Sequence, residues 1–512
     1  MIQFDTIQRS RLVGLALILS ILSPAALVPA AHAQVAPELS SKDAVTRRPW
    51  FARQMGALMS IAPDSKDATR TALVAEVNKR VHDQSDATRA TLKARQAQGF
   101  KTIVDVVVVG GGIHSAIFNS TMSHAFPEAR VLTLEGSDTL IKTFTGAGPV
   151  FRINSPELGT ATANLIAEAP LQLAQISPAK FANAELLGQV ALFALFHSTT
   201  NFLLSAKVAA ITPDGDRYIV KLEEGLTVYA RHVVVATGLG IPSLKSDDQE
   251  TMRIVRAEAS RTVDLGKEVP DIQFFDDAIA KAKLSLDMGL APLDSYAGKR
   301  VAVVGAGDAG NVWVEFLLGH APPEVYARAK VQTGPAHSIW LGQKAKTIDE
   351  WKAANKPRYY ETLQGMYQDP RIEMTGARLE SIRYAAGEDA KKGKFVITAN
   401  GDNGAETIYA DKIVMSTGYQ NVAPKLVEQC GAMLKPMNGT VKGIDKPTPL
   451  CKQCADSDGK GHPVYIVGPA AMPLAPDDEL KLTITKNPAS INVLGPRTEG
   501  LALLIAASLM GQ

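Results

Sequence analysis

The stretch "IVDVVVVGGGIHSAI", residues 103–117, decides the fold. A β-branched run this short, closed by three glycines and followed by a helix-forming segment, predicts a strand buried on both faces of a parallel sheet, then a tight turn, then a helix. A dinucleotide-binding turn asks for one glycine at the bend, a second where backbone approaches the pyrophosphate, and a third where helix packs on strand. Gly110 and Gly112 take the first two places, and Ser115, a small residue, takes the third. The helix is expected to begin near Ile113, with its free N–H groups offered to phosphate. Downstream, "ARVLTLEGSD" (129–138) supplies a second strand ending in an acid, Glu135, placed to hydrogen-bond ribose hydroxyls. The plainer alternative is a glycine turn in an unrelated α/β domain, with Glu135 simply solvated.

A second copy follows. "KRVAVVGAGDAG" (299–310) carries the complete pattern in Gly305, Gly307 and Gly310. Its second strand is expected at "HSIWLG" (337–342), and the "QKAK" that follows holds no acid. A missing ribose acid with Lys344 or Lys346 nearby fits a 2′-phosphate and favours NADPH over NADH, although lysines after a strand are otherwise simply solvated. Three more apolar runs, "ARHVVVATGLG" (230–240), "ADKIVMSTGYQ" (410–420) and "HPVYIVGPAA" (462–471), end in small-residue turns. Thr237, Gly238, Thr417, Gly418 and Gly468 at those turns are further cofactor-binding candidates. Strands interleaved with helices predict an α/β fold with two Rossmann-like units.

Two fingerprints, the second inserted between halves of the first unit, resemble the two-dinucleotide-binding flavoproteins over residues 101–512, more loosely over 155–230. The resemblance implies FAD at the first copy and NADPH (or NADH) at the second. Within that superfamily, "DKIVMSTGY" (411–419) is similar to the D-x-x-x-[LF]-A-T-G-Y motif of the class B flavin monooxygenases, with Met415 and Ser416 as departures. "RINSPE" (152–157) resembles their T-N-x-P-[KR]-E segment, which implies Asn154 beside the flavin ring as the catalytic candidate. The F-x-G-x-x-x-H segment of flavin-containing and Baeyer–Villiger monooxygenases is absent, and Gly468-Pro469 stands where reductases carry Gly-Asp. What the resemblance implies is an FAD-dependent NAD(P)H oxidoreductase, a monooxygenase acting with oxygen on a small nitrogen- or sulfur-containing substrate. The rival is a thiol–disulfide reductase using Cys451 and Cys454 of "PLCKQCAD"; a flavin-binding protein without turnover is the third reading.

The rest of the chain frames this core. Residues 1–33 read as a secretory signal peptide: Arg9 and Arg11, an apolar stretch, then an A-x-A site ending at Ala33. An exported protein with no membrane span in the mature chain is the expectation, an uncleaved anchor the alternative. Residues 34–100 predict a helical extension in which "DATR" at 67–70 and 86–89 marks two helix starts. The expected divisions are 101–245 for the first part of the FAD-binding domain, 246–410 for the NAD(P)H-binding domain and 411–512 for the second FAD part. A net charge of +2 from 54 basic and 52 acidic residues gives no electrostatic argument for nucleic acid. Three cysteines exclude a disulfide scaffold; Cys451 and Cys454 form a local disulfide, a redox pair or half a metal site, and no second C-x-x-C completes a zinc set. Other chemistry-bearing residues have bland expectations: His114 facing solvent at the helix start, His462 in a turn, Tyr419 in packing and Thr498 capping the closing helix.

Overall fold

The computed structural model describes residues 68–145, 184–320, 337–342, 344, 347, 349–350, 366–420, 435–439, 448–452, 464–468 and 491–511, with positions 199, 239, 243, 245, 262–267, 288–293 and 403 outside this set. Residues 1–33, Asn154, Lys346, Cys454, His462 and Pro469 therefore lie outside the described residues.

The chain enters through one continuous helix, α1 (Ala68–Ala97). The second "DATR" is inside it rather than at a new start, because nothing between the two copies breaks the helix: no proline or glycine occurs from 68 to 97. Next come β1 (Ile103–Val109), α2 (Ile113–Ala125) and β2 (Val131–Leu134), the strand–turn–helix–strand predicted from the glycines. After α3 (Ala184–His197) and β3 (Asn201–Leu203), β4 (Val208–Asp214) and β5 (Arg217–Leu222) make an antiparallel pair that joins β6 (Thr227–Val235). β1 pairs in parallel with β2 on one side and β6 on the other, Val109 lying level with Leu134 and Val235. Its side chains are buried on both faces: Val106 and Val108 pack with Phe118 and Met122, and Val107 and Val109 with Tyr218 and Val220. That is why the run is hydrophobic rather than alternating.

From β6 the chain crosses through the short β7 (Ile241–Pro242) into a second unit of the same design. α4 (Gln249–Ala259), β8 (Ile272–Phe274) and α5 (Phe275–Asp287) precede the fingerprint elements β9 (Arg300–Val304) and α6 (Asp308–Leu318). Then follow β10 (His337–Leu341), β11 (Ile372–Thr375), the antiparallel β12 (Arg378–Tyr384), β13 (Phe395–Gly401) and β14 (Gly404–Ala410), and β15 (Lys412–Met415). The parallel sheet runs β11-β10-β9-β15-β8. Val301 and Val303 pack with Trp313 and Phe316 of α6, while Ala302 and Val304 pack with Phe395 and Ile397 of the three-stranded sheet.

The return crossing is β16 (Tyr419–Gln420), which pairs antiparallel with β7. A boundary at 411 is therefore too early. β15 pairs with β9, so "DKIVMSTGY" belongs to the second unit and the chain leaves it at 419–420. The sequence misplaced it because a buried strand of either sheet has the same apolar pattern; only pairing distinguishes them. The first sheet is then completed by β17 (Lys435–Gly439), β18 (Thr448–Lys452) and β19 (Val464–Ile466), the last parallel to β6. The closing helix α7 (Ile491–Met510) packs Leu501, Ala502 and Ile505 against the β1 face that α2 covers. No described helix is long and apolar enough to cross a membrane.

Candidate functional site

Each fingerprint forms a cradle at the carboxyl edge of its sheet, where open α/β folds bind ligands. At the first, Gly110 has φ +104, and a Cβ there would sit 2.5 Å from the carbonyl oxygen of Ala236. Only glycine can bring the turn this close to the neighbouring strand end. Gly112 is the residue before α2, and a Cβ on it would meet nothing within 4 Å. The helix start is therefore open where a pyrophosphate would lie against its N–H groups.

The second cradle repeats this construction. Gly305 has φ +117, and a Cβ would lie 2.2 Å from the Ser416 carbonyl oxygen; Gly307 before α6 is open to 4 Å. Ala236-Thr237-Gly238 thus closes over the first glycine bend as Ser416-Thr417-Gly418 closes over the second. Gly238 (φ +71) and Gly418 (φ +88) make the turns that follow. Thr417 and Gly418 therefore line the second cradle, not the first as a boundary at 411 implied.

The third position separates the two copies. A Cβ at Gly310 would come 2.0 Å from the Gly305 carbonyl oxygen, which also accepts the Trp340 indole N–H at 3.0 Å. Ser115, fully buried, instead accepts a hydrogen bond from Asn119 Nδ2 at 3.0 Å. The same nitrogen donates to Thr133 Oγ1 at 3.0 Å, and Thr200 Oγ1 donates to Asn119 Oδ1 at 2.9 Å. A polar network tying α2 to β2 and to the approach to β3 thus does the packing that glycine contact does in the second unit.

Glu135 stands where the ribose acid was expected. Its Oε2 accepts the Gly111 N–H at 2.5 Å, and its Oε1 accepts the Ser137 N–H and hydroxyl at 2.7 and 2.8 Å. The carboxylate is fixed against the glycine turn, and Oε2, with one donor, keeps lone-pair capacity for a ribose hydroxyl. Thr237 Oγ1, at the rim of this cradle, is buried without a protein partner. At the second cradle, Lys344 follows β10, is exposed, and faces Asp402 of the β13–β14 turn at 3.7 Å. The "QKAK" segment after the strand holds no acid, so Glu135 has no counterpart directly after β10.

His114 overturns its expectation. It is buried rather than facing solvent, with Nδ1 3.1 Å from Thr498 Oγ1 and its ring against Gly468, where a Cβ would sit 2.5 Å from Cδ2. Burial holds the imidazole down to about 4, so it is neutral at ordinary pH. Thr498 in turn lies inside α7, which begins at Ile491, and so is no cap. Gly468 (φ +66) does stand at the first cradle's side, under the His114 ring, since β19 lies beside β6.

Two acid-linked clusters lay beyond sequence reasoning. Tyr419 Oη donates to Asp276 Oδ1 at 2.6 Å, joining β16 to the start of α5. Burial pushes the Asp276 carboxyl up, and burial with the adjoining Asp276 pushes the Tyr419 phenol up. Away from both cradles, Asp369 accepts from Arg371 and lies 2.8 Å from His320 Nε2, pinning the end of α6 to the start of β11. Tyr419 closes the "DKIVMSTGY" stretch, but its partner Asp276 and the Asp369 cluster have no local motif. Among the described residues no group of His, Cys, Asp or Glu could hold a metal.

No protein-family model matches the chain, and no curated protein matches it in sequence. Solved structures do match. The ornithine N-hydroxylase of Kutzneria sp. 744, solved with FADred, NADP+ and L-orn, is 13% identical at a TM-score of 0.51, spanning 80% of this chain and 100% of that one. L-lysine 6-monooxygenase from Pseudomonas syringae is 12% identical at a TM-score of 0.51, spanning 79% and 100%. A bacillithiol disulfide reductase from Bacillus cereus is 14% identical at 0.48, spanning 79% and 99%. The chain shares the fold of these structures, and each of its two parallel sheets carries a glycine cradle among the described residues.

Proposed function

We propose that the protein is an FAD-dependent NAD(P)H oxidoreductase, and specifically a monooxygenase acting with oxygen on a small nitrogen- or sulfur-containing substrate. One observation carries the reading. The carboxyl ends of β6 and β15, each closing its own glycine cradle, run directly into the single β7–β16 ribbon, where Pro242 lies level with Tyr419. Two dinucleotides seated on the two cradles therefore both lie at the sheet edges joined by that ribbon. FAD, when bound, accepts a hydride from the nicotinamide and passes the electron pair to oxygen, and the chain's part is to bind and orient. The Gly112 and Gly307 turns present helix N–H groups to the two pyrophosphates, Glu135 receives the flavin nucleotide's ribose, and Lys344 meets a 2′-phosphate. Two of the matching structures, at a TM-score of 0.51, are an ornithine N-hydroxylase and an L-lysine 6-monooxygenase, which supports the monooxygenase arm.

The reductase arm rests on Cys451, and its register disfavours it. Cys451 lies level with Val464, the first residue of β19, and β18 runs from there toward the amino edge of that strand. The cradle opens at the other edge, past Ile466, roughly 10 Å further along at ~3.3 Å per residue. We further propose export through the segment 1–33. The deciding test is a visible spectrum of the purified protein under air, with and without NADPH. A flavin spectrum bleached by NADPH and restored by oxygen is expected, and a colourless protein that takes up no FAD would overturn the proposal.

A further inference from the structure

The helix α1 precedes the fingerprint units, and none of its residues belongs to either motif. Three of its polar side chains, Gln84, Ser85 and Arg89, are nonetheless directed at the residues that flank β3. The Leu204 N–H donates to Ser85 Oγ at 2.9 Å, and the Arg89 guanidinium donates to the Leu204 carbonyl while pairing with Glu224. Ser85 and Leu204 are both buried. Gln84, the residue before Ser85, donates through Nε2 to the Thr200 carbonyl at 3.2 Å. α1 thus supplies hydrogen bonds that the β3 edge strand would otherwise lack.

Leu204 is one residue from the loop that seats the ribose acid. Glu135 N–H donates to the Leu203 carbonyl at 2.9 Å, Ser205 N–H to the Ser137 carbonyl at 2.7 Å, and Ala206 N–H to the Glu135 carbonyl at 2.8 Å. Ser205 has φ +50 and Ile141 has φ +55; among the described residues they are the non-glycine positions of positive φ. Both belong to this loop's surroundings, since the Ile141 N–H donates to the Gly111 carbonyl at 2.8 Å. Such backbone is strained and persists only where its neighbours over-determine it. The 135–141 loop is held on one side by the glycine turn and on the other by Leu204–Ser205, which α1 grips.

We infer that α1 is a brace for the first cofactor site: Ser85 and Arg89 are positioning residues that, through Leu204 and Ser205, hold Glu135 in place for the ribose of an adenine dinucleotide. The inference rests on the proposed reading of the first cradle. It is tested with full-length protein freed of flavin, using FAD as the probe. Ser85→Ala with Arg89→Ala should weaken FAD binding about tenfold, the size of effect expected when a coupled contact is lost. Ser85→Thr, which keeps the hydroxyl, should bind as the parent does. In a Glu135→Ala background the Ser85/Arg89 substitutions should change FAD affinity little, because the residue they position is gone. Hydrogen exchange read without cofactor should quicken over 135–141 in the double variant and not over 300–310. An unchanged FAD affinity in a double variant whose parent binds FAD overturns the brace and leaves the cofactor reading standing, as does an undiminished effect in the Glu135→Ala background. A parent protein that takes up no FAD overturns the cofactor reading itself.

Discussion

Gly110→Ala would drive a methyl to 2.5 Å from the Ala236 carbonyl oxygen at a φ of +104, so the first turn would have to open. Loss of bound flavin is expected, read as absorbance of the purified protein; Gly112→Ala should spare the turn, because its Cβ meets no protein atom within 4 Å, yet still weaken flavin binding, because that open space is where the pyrophosphate is proposed to lie. Ser115→Gly should instead keep the flavin: it restores the usual glycine but removes the acceptor for Asn119 Nδ2, which retains Thr133. A cost of about 1 kcal/mol in denaturant unfolding follows from one lost buried hydrogen bond. His114 gives a pH signature. Its ring stays neutral in the fold down to about 4, whereas the unfolded chain takes up a proton below about 6.5. Its contribution is whole above 6.5 and is lost as pH falls toward 4, about 2 kcal/mol of it between pH 7.5 and 5. His114→Gln should flatten that slope, measured as unfolding free energy at the two pH values. At this scale the glycines and Glu135 were legible in the sequence because they answer to a local turn. The burial of His114 was not, because what covers it, Gly468 and Thr498, lies more than 350 residues away in the chain.

At the scale of elements, α6 is held at both ends. Gly310 lets its first turn touch the Gly305 carbonyl, and Gly319 at φ +84 ends it, with Arg371 donating from the start of β11 to the Leu318 carbonyl. Burial alone would raise the Asp369 carboxyl, but hydrogen bonds from Arg371 and His320 outweigh it and hold the carboxyl below the usual carboxylate range. Its contribution is present above about pH 4 and lost as pH falls below that. Arg371→Ala should cost about 2 kcal/mol at neutral pH, since it removes charge-assisted hydrogen bonds from the half-buried Asp369 while His320 remains, and should move acid unfolding to higher pH. Circular dichroism across an acid titration checks both. Strands, helix starts and the two glycine turns were readable from periodicity and punctuation. The single helix across both "DATR" copies was misread because a capping residue is also tolerated inside a helix when no breaker accompanies it.

For the whole molecule, the arrangement that counts is two cradles joined by one ribbon. Cys451→Ser should leave flavin reduction by NADPH unchanged in stopped-flow measurement, because Cys451 lies level with the amino end of β19 and not with the cradle. A disulfide reduced with NADPH by the parent and not by that variant would favour the disulfide-reductase reading instead, since such a cysteine takes electrons from the flavin only after NADPH has reduced it.

The sequence by itself determined that there are two nucleotide-type turns, where each helix begins, and which acid follows the second strand, because each depends on residues within about thirty positions of one another. Only the tertiary structure decided that "DKIVMSTGY" serves the second cradle, that a serine-centred network replaces the missing glycine, that His114 is neutral and buried, and that an N-terminal helix grips the ribose-acid loop. Those outcomes rest on strand pairing and on contacts between segments remote in sequence. The stretch 103–117 has the same letters whatever packs over it, and what packs over it sets the chemistry its side chains can do.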